Sequence, residues 1–127
     1  MSDDPQQFDG RRDIMAGFAD SAHKRGEFFF YVRIPQDVQP LARGDRYEDA
    51  LHAALLEANL GQVTGGGSQL GEGNTIEYCG LDVVVTDRDR GLDLIRSVMR
   101  RLGAPPDTLI EEYLPTYREH ALTAPAV

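Results

Sequence analysis

The run Gly61-Gln62-Val63-Thr64-Gly65-Gly66-Gly67-Ser68 stands one residue away from a phosphate-binding P-loop. In that motif a lysine ammonium reaches the outer phosphates, and here Gly67 takes its place. The surroundings differ as well. These glycines follow a helical pattern and precede a strand pattern, whereas a P-loop follows a strand and launches a helix. What remains to Gly65, Gly66 and Gly67 is backbone chemistry: positive φ angles or a bulge at a hairpin, or the close approach of a ligand or partner backbone. Ser68 lacks the closing glycine and the strand-to-helix turn of a nucleophile elbow, so nothing here reads as a hydrolase.

The other reactive side chains occur singly. His23, His52 and His120 are scattered, with no pair at ligand spacing and one thiol in the chain, so neither a metal site nor a cofactor is expected. His52 falls off the apolar stripe of its helical segment and reads as a boundary residue rather than an acid–base catalyst. Cys79 lies in a strand pattern with no adjacent base and reads as a small buried hydrophobe. Glu72, Glu77, Asp82, Glu111 and Glu112 fall near the hairpin and the sheet, where two that converge could hold a cation or a basic side chain. Taken one at a time they read as solvated strand positions. Asp82 differs because it interrupts an apolar strand: its charge needs a partner, and Arg33 is the natural one if the two strands are neighbours. No catalytic residue is assigned.

A small chain must position these groups. With 127 residues, 41% of them hydrophobic, it can bury one core but not two. The formal net charge of -8 repels phosphate backbones and membrane surfaces, so no nucleic acid and no membrane is expected as a partner, while a basic protein fits. Cys79 alone cannot form an internal disulfide and suits a reducing cytoplasm. The start, Met1-Ser2-Asp3-Asp4-Pro5, is acidic where an export signal needs a positive segment and then an apolar one, and no apolar run approaches membrane-spanning length.

Hydrophobic spacing divides the chain into an amino-terminal extension over 1–26, a domain over 27–115 and a carboxy-terminal tail over 116–127. The stretch to about Gly10 offers almost nothing to bury and is expected to be disordered. Ile14, Met15, Phe18, Ala19 and Ala22 then recur at helical spacing and predict a short amphipathic helix. Over 27–34, Phe28, Phe30, Val32 and Ile34 fall on one side of a strand and Phe29, Tyr31 and Arg33 on the other, with Pro35 as the stop. Asp45 followed by Glu48 resembles a capping box ahead of a helix whose stripe is Tyr47, Leu51, Ala54, Leu55 and Ala58, and Gly61 supplies its left-handed end. Gln62, Val63 and Thr64 make a short strand, and the stretch over 65–74 reads as a loop or bulged hairpin.

In the strand over 75–87, Ile76 and Tyr78 share one side and Leu81, Val83 and Val85 the other, which calls for a bulge or kink near Gly80. Asp87 or Asp89 caps a second helix with Leu92, Ile95, Val98, Met99 and Leu102 on its buried face, ended by Gly103, Pro105 and Pro106. Leu109, Ile110, Tyr113 and Leu114 make the last strand, and the chain trails off beyond Pro115.

This order is β-α-β-β-α-β. It predicts an α+β protein, a ferredoxin-like sandwich whose four-stranded antiparallel sheet carries two helices on one face, plus the amino-terminal helical extension. The opposite face then carries Phe29, Tyr31, Val84 and Tyr113, with Arg33 and Asp82 among them, more apolar surface than a small sheet leaves to water. Base stacking on these rings fits neither the charge nor the missing basic signature strand of RNA-recognition domains. Dimerisation, a partner or the amino-terminal helix is expected to cover them.

The segments Gly65-Gly66-Gly67, Ile76-Glu77-Tyr78-Cys79-Gly80-Leu81-Asp82 and Leu102-Gly103-Ala104-Pro105-Pro106-Asp107-Thr108 resemble a class of small bacterial ferredoxin-like α+β proteins of unassigned function. The resemblance covers about residues 28–113, implies the fold, and carries over no catalytic residue. The leading expectation is a non-enzymatic cytoplasmic binding or regulatory module, a homodimer through the sheet face, with Gly65, Gly66, Gly67 and Ser68 as its recognition loop. The alternatives are an immunity-type acidic inhibitor of a basic toxin or nuclease, and a small enzyme with Arg33, Tyr78 and Asp82 beside the glycine loop.

Overall fold

A computed structural model describes residues 5–36, 44–70 and 76–122. Strands β1 (Phe28–Ile34), β2 (Gly61–Leu70), β3 (Ile76–Val85), β4 (Leu109–Glu112) and β5 (Arg118–Ala121) form one antiparallel sheet in the order β2-β3-β1-β4-β5. Among the described residues three α-helices flank it: α1 (Pro5–Lys24), α2 (Asp49–Glu57) and α3 (Arg88–Arg101). The protein is of the α+β class, with five strands where four are expected.

Alternation along β1 builds two apolar layers. Phe30, Val32 and Ile34 join Leu81, Val83 and Val85 of β3 on one face, under Tyr47, Leu51 and Leu55 and the α3 residues Leu92, Ile95, Val98 and Met99. Each large side chain buried there contributes about 1.5–3 kcal/mol relative to exposure, which makes this layer the main source of stability. Phe28 departs from the pattern, since at the open end of β1 it remains exposed.

Phe29, Tyr31, Val84 and Tyr113 form the second layer, on the other face, and Ala19 and Ala22 of α1 close over them. Of the three coverings expected for this face, the helix of the extension is the one that lies on it, in place of the leading expectation of a dimer contact, and Phe29 and Tyr31 are interior residues there. α1 also begins at Pro5, earlier than the short helix expected, while residues 1–4 lie outside the described residues. It ends at Gly26, whose φ of 77° lets the N–H groups of Arg25, Gly26 and Glu27 turn back onto the carbonyls of Ala22 and His23.

β3 passes through Gly80 without a kink, because its register with β1 is unbroken from Phe28↔Val85 to Ile34↔Cys79. The glycine serves another purpose: the Tyr31 ring lies across it, and a Cβ at Gly80 would collide with that ring and its hydroxyl. The irregularities sit in the β2 pairing, between Val63 and Gly65 and between Gln69 and Leu70. β2 itself continues to Leu70, so Gly65, Gly66, Gly67 and Ser68 are ladder residues opposite Asp82, Leu81, Gly80 and Cys79 rather than a loop. Glycine is a poor strand former, and pairing with the valine-rich β3 overrides that preference. Residues 71–74 of the expected loop, with Glu72, lie outside the described residues.

The helix ends show which local signals operate. The Asp87 side chain accepts the Arg90 N–H at 3.0 Å and caps α3, and Gly103 closes that helix with φ 79°. α2 departs from the expected capping box: it continues a π-helical turn over Gly44–Glu48, and Glu48 at its N-cap has helical angles and makes no capping hydrogen bond. Asn59, with φ 55°, takes the left-handed position expected at Gly61. Gly61 instead opens β2 where a Cβ would strike the Val84 carbonyl.

Past Pro115 the chain turns back instead of trailing off. β5 pairs with β4 from Leu109↔Ala121 to Glu112↔Arg118. Leu122 is buried in the main layer, and Arg96 Nε donates to the Ala121 carbonyl at 2.8 Å. Residues 123–127 lie outside the described residues.

Candidate functional site

β4 reads Leu-Ile-Glu-Glu, and period-two alternation sends its adjacent carboxylates to opposite faces of the sheet. β4 is flanked by β1 and β5, so both groups are shielded: Glu111 is 0% and Glu112 4% exposed. Ionised carboxylates at such depth need charged or hydrogen-bonding partners. The solvated reading of these two positions is therefore corrected, and the partners define the most polar part of the interior.

Glu112 lies on the side of Ile110, toward α3. Arg88, in the first turn of α3, donates to its two oxygens from Nε at 2.6 Å and from Nη2 at 2.7 Å. His120 Nε2 stands 3.0 Å from Oε1, and Arg118 Nη2 lies 3.3 Å from the same oxygen. Burial pushes the Glu112 carboxyl up, but hydrogen bonds from Arg88 and His120 and the charges of Arg88 and Arg118 outweigh it and hold the group below the usual carboxylate range. An ionised carboxylate only accepts, so Nε2 of His120 carries the proton in this contact. The hydrogen bond to Glu112 in turn raises the Arg88 guanidinium pKa, so Arg88 stays charged throughout the accessible pH range.

Glu111 lies on the α1 side. The Tyr113 hydroxyl donates to its Oε1 at 2.5 Å, and the Tyr117 hydroxyl lies 2.9 Å from its Oε2 and 2.9 Å from Oε2 of Glu119. Arg33 reaches both acids, with Nη1 3.4 Å from Glu111 and Nη2 3.6 Å from Glu119. Burial first, then the Glu111 charge and the hydrogen bonds to Glu119 and Glu111, push the Tyr117 hydroxyl well above its ordinary pKa, so it acts as a neutral donor. No protein family, curated protein or solved structure matches this chain. The chemistry has to be read from the geometry alone.

Both clusters tie β5 into the sheet from opposite faces, Glu112 through His120 and Arg118 and Glu111 through Tyr117 and the Arg33–Glu119 pair. On the Glu111 side a row of rings extends from the network to α1: Tyr117 and Tyr113 at 5.1 Å, Tyr113 and Phe29 at 6.4 Å, Phe29 and Phe18 at 6.0 Å. A shallow cleft lined by Ala19, His23, Glu27, Phe28, Phe29, Glu112 and Leu114 lies where the end of α1 meets β1 and β4. Among the described residues no three of His, Cys, Asp and Glu gather where they could hold a metal ion.

The expected site residues fall into three places. Phe29, Tyr31, Val84 and Tyr113 share the layer beneath α1. Arg33 belongs to the Glu111 cluster and its guanidinium lies 5.8 Å from the centre of the Tyr78 ring. Asp82 is directly opposite Tyr31 in β1 and Gly65 in β2, which places it diagonal to Arg33, itself opposite Gly80, on the same face of neighbouring strands. His52 is a boundary residue with a defined task, since its Nδ1 accepts the Val63 N–H at 3.1 Å. Cys79 is buried in the main layer. The residues that sequence reasoning missed are Arg88, Tyr117, Arg118 and Glu119, while Glu111, Glu112 and His120 were weighed there without these partners. Their signal was Leu-Ile-Glu-Glu-Tyr-Leu itself, where a strand with apolar neighbours on both sides carries a carboxylate to each face.

Proposed function

We propose that the protein is a non-enzymatic binding module of the cytoplasm, ferredoxin-like in its first four strands, which docks a protein partner on the outer side of α1. The strand order β2-β3-β1-β4 with α2 and α3 over one face supports the ferredoxin-like reading, as two interleaved β-α-β units produce that order. β5 and α1 are additions at the edge and on the second face.

One observation carries the functional reading. α1 buries small residues, Ala19 and Ala22, and leaves two large ones outside: Ile14 is 59% and Phe18 47% exposed, one turn apart. Apolar anchors at i and i+4 on one helix are what a groove in another protein grips. Phe18 also rests on Phe29, which fixes its ring against the covered sheet face. Asp13 is exposed on the same helix while Asp20 is paired with Lys24 at 3.1 Å, so the charges around the anchors are of both signs and the match to a partner is carried by the apolar pair.

A photoreactive phenylalanine in place of Phe18 tests this in living cells, with the same residue at exposed Arg100 of α3 as a control. The expected result is one discrete protein adduct from position 18, absent from position 100 and lost when Ile14→Glu is added. Adducts from position 18 that match those from position 100, or none at all, would count against it.

A further inference from the structure

The two outer strands of the sheet are built in opposite ways. β5 spans four residues, and Arg118 and Glu119 are exposed on it, which is how natural edges are kept from pairing with other chains. β2 spans ten residues, pairs with β3 only among the described residues, and has no charged side chain. The uncharged stretch is wider still: the fourteen residues between Glu57 and Glu72 contain no Asp, Glu, Lys or Arg, in a chain whose net charge is -8.

Two features shape this edge. At its start α2 guards the backbone, because His52 Nδ1 occupies the Val63 N–H. Between the register shifts at Val63/Gly65 and Gln69/Leu70 the ladder with β3 is regular, from Gly65↔Asp82 to Gln69↔Tyr78, and offers its outer backbone groups on alternate residues. A Cβ built at Gly67, the middle of that stretch, meets nothing within 4 Å. Leu56, one turn beyond His52 on α2, is 55% exposed near the start of this strand.

We infer that β2 is the contact between two copies of this chain, which pair antiparallel about a two-fold axis near Gly67. Charge selects the occupant. Two chains of net charge -8 repel each other over most of their surfaces, and β2 brings no charged side chain of its own to this edge, the carboxylate beside it being that of Asp82 one strand inward at Gly65. An antiparallel two-fold is also the closed, self-complementary arrangement, so it consumes the exposed edge and stops at two. The contact uses none of the α1 residues of the proposed partner surface, so either can fail alone.

Light scattering coupled to size exclusion on the full chain tests it at about 100 μM, where even a weak edge pair populates the dimer. The wild type is expected at twice the 14.1 kDa chain mass. Gly67→Glu places like charges face to face across the axis while touching nothing in its own chain, and is expected to weaken dimerisation at least about tenfold. Gly67→Thr, which adds a side chain at the same position without a charge, retains the dimer. A monomeric wild type at this concentration overturns the inference. So does a dimer that survives Gly67→Glu, or one that only Phe18→Glu dissociates.

Discussion

Arg88 and Glu112 form a two-pronged ion pair, 2.6 and 2.7 Å long, between the first turn of α3 and the last residue of β4. The carboxylate is 5% exposed by its side chain and the guanidinium 28%, so the pair sits where solvent is largely excluded from the acid. Removing the cation leaves a buried charge with only His120 and Arg118 to answer it. Arg88→Ala is therefore expected to cost about 2–3 kcal/mol, and Glu112→Gln about 1–2 kcal/mol because the amide keeps a hydrogen-bonding shape. Urea denaturation midpoints at pH 7 with an unchanged dependence on denaturant would measure both.

The same pair sets a dependence on acid. The Glu112 carboxyl is held below its ordinary value of 4.5 in the folded chain, so the unfolded chain binds the proton more readily. Its contribution is complete above that ordinary value and is lost as pH falls through the lower folded value. The stability difference between wild type and Glu112→Gln should therefore shrink progressively as pH falls below about 4.5. Chemical denaturation at a series of pH values checks this, and a difference that grows on acidification contradicts it.

Gly80 and Tyr31 are coupled by shape. A Cβ at Gly80 would occupy the space of the Tyr31 ring, which is itself buried under the second layer. Gly80→Ala is expected to destabilise by about 1–3 kcal/mol, the range for overpacking a fitted site. In a Tyr31→Leu background the same substitution should cost less by about 1 kcal/mol or more, since the ring that would be struck is gone. A double-mutant cycle in urea measures the coupling, and strict additivity would contradict the geometry.

What the sequence made legible follows from how local each signal is. Alternation in β1 sorts Phe30, Val32 and Ile34 from Phe29 and Tyr31 correctly because a strand buried on both faces has period two whatever surrounds it. Asp87 and Gly103 mark the ends of α3 because capping needs only neighbouring residues. The glycines of β2 were illegible as a strand, since their conformation is set by β3 across the ladder and not by their own preference. β5 was equally hidden: Arg-Glu-His-Ala has no apolar alternation, and what holds it is pairing with β4, the Leu122 anchor and the reach of Glu111 and Glu112. The polar clusters that hold β4 and β5 depend on contacts distant in sequence, as between Arg88 and Glu112 or Arg33 and Glu119, and no short window contains them.

The central claim is that α1 is seated on Phe29, Tyr31 and Tyr113 through Ala19 and Ala22, with Met15 against the same layer, which turns Ile14 outward and leaves Phe18 half exposed at its margin. Nuclear Overhauser contacts in labelled protein test that seat most directly. Cross-peaks from the Ala19 and Ala22 methyl groups to the ring protons of this aromatic layer are predicted, with Ile14 methyl groups showing contacts within α1 alone. Alanine methyl groups without any contact to the layer, or Ile14 methyl groups in contact with it, would contradict the account.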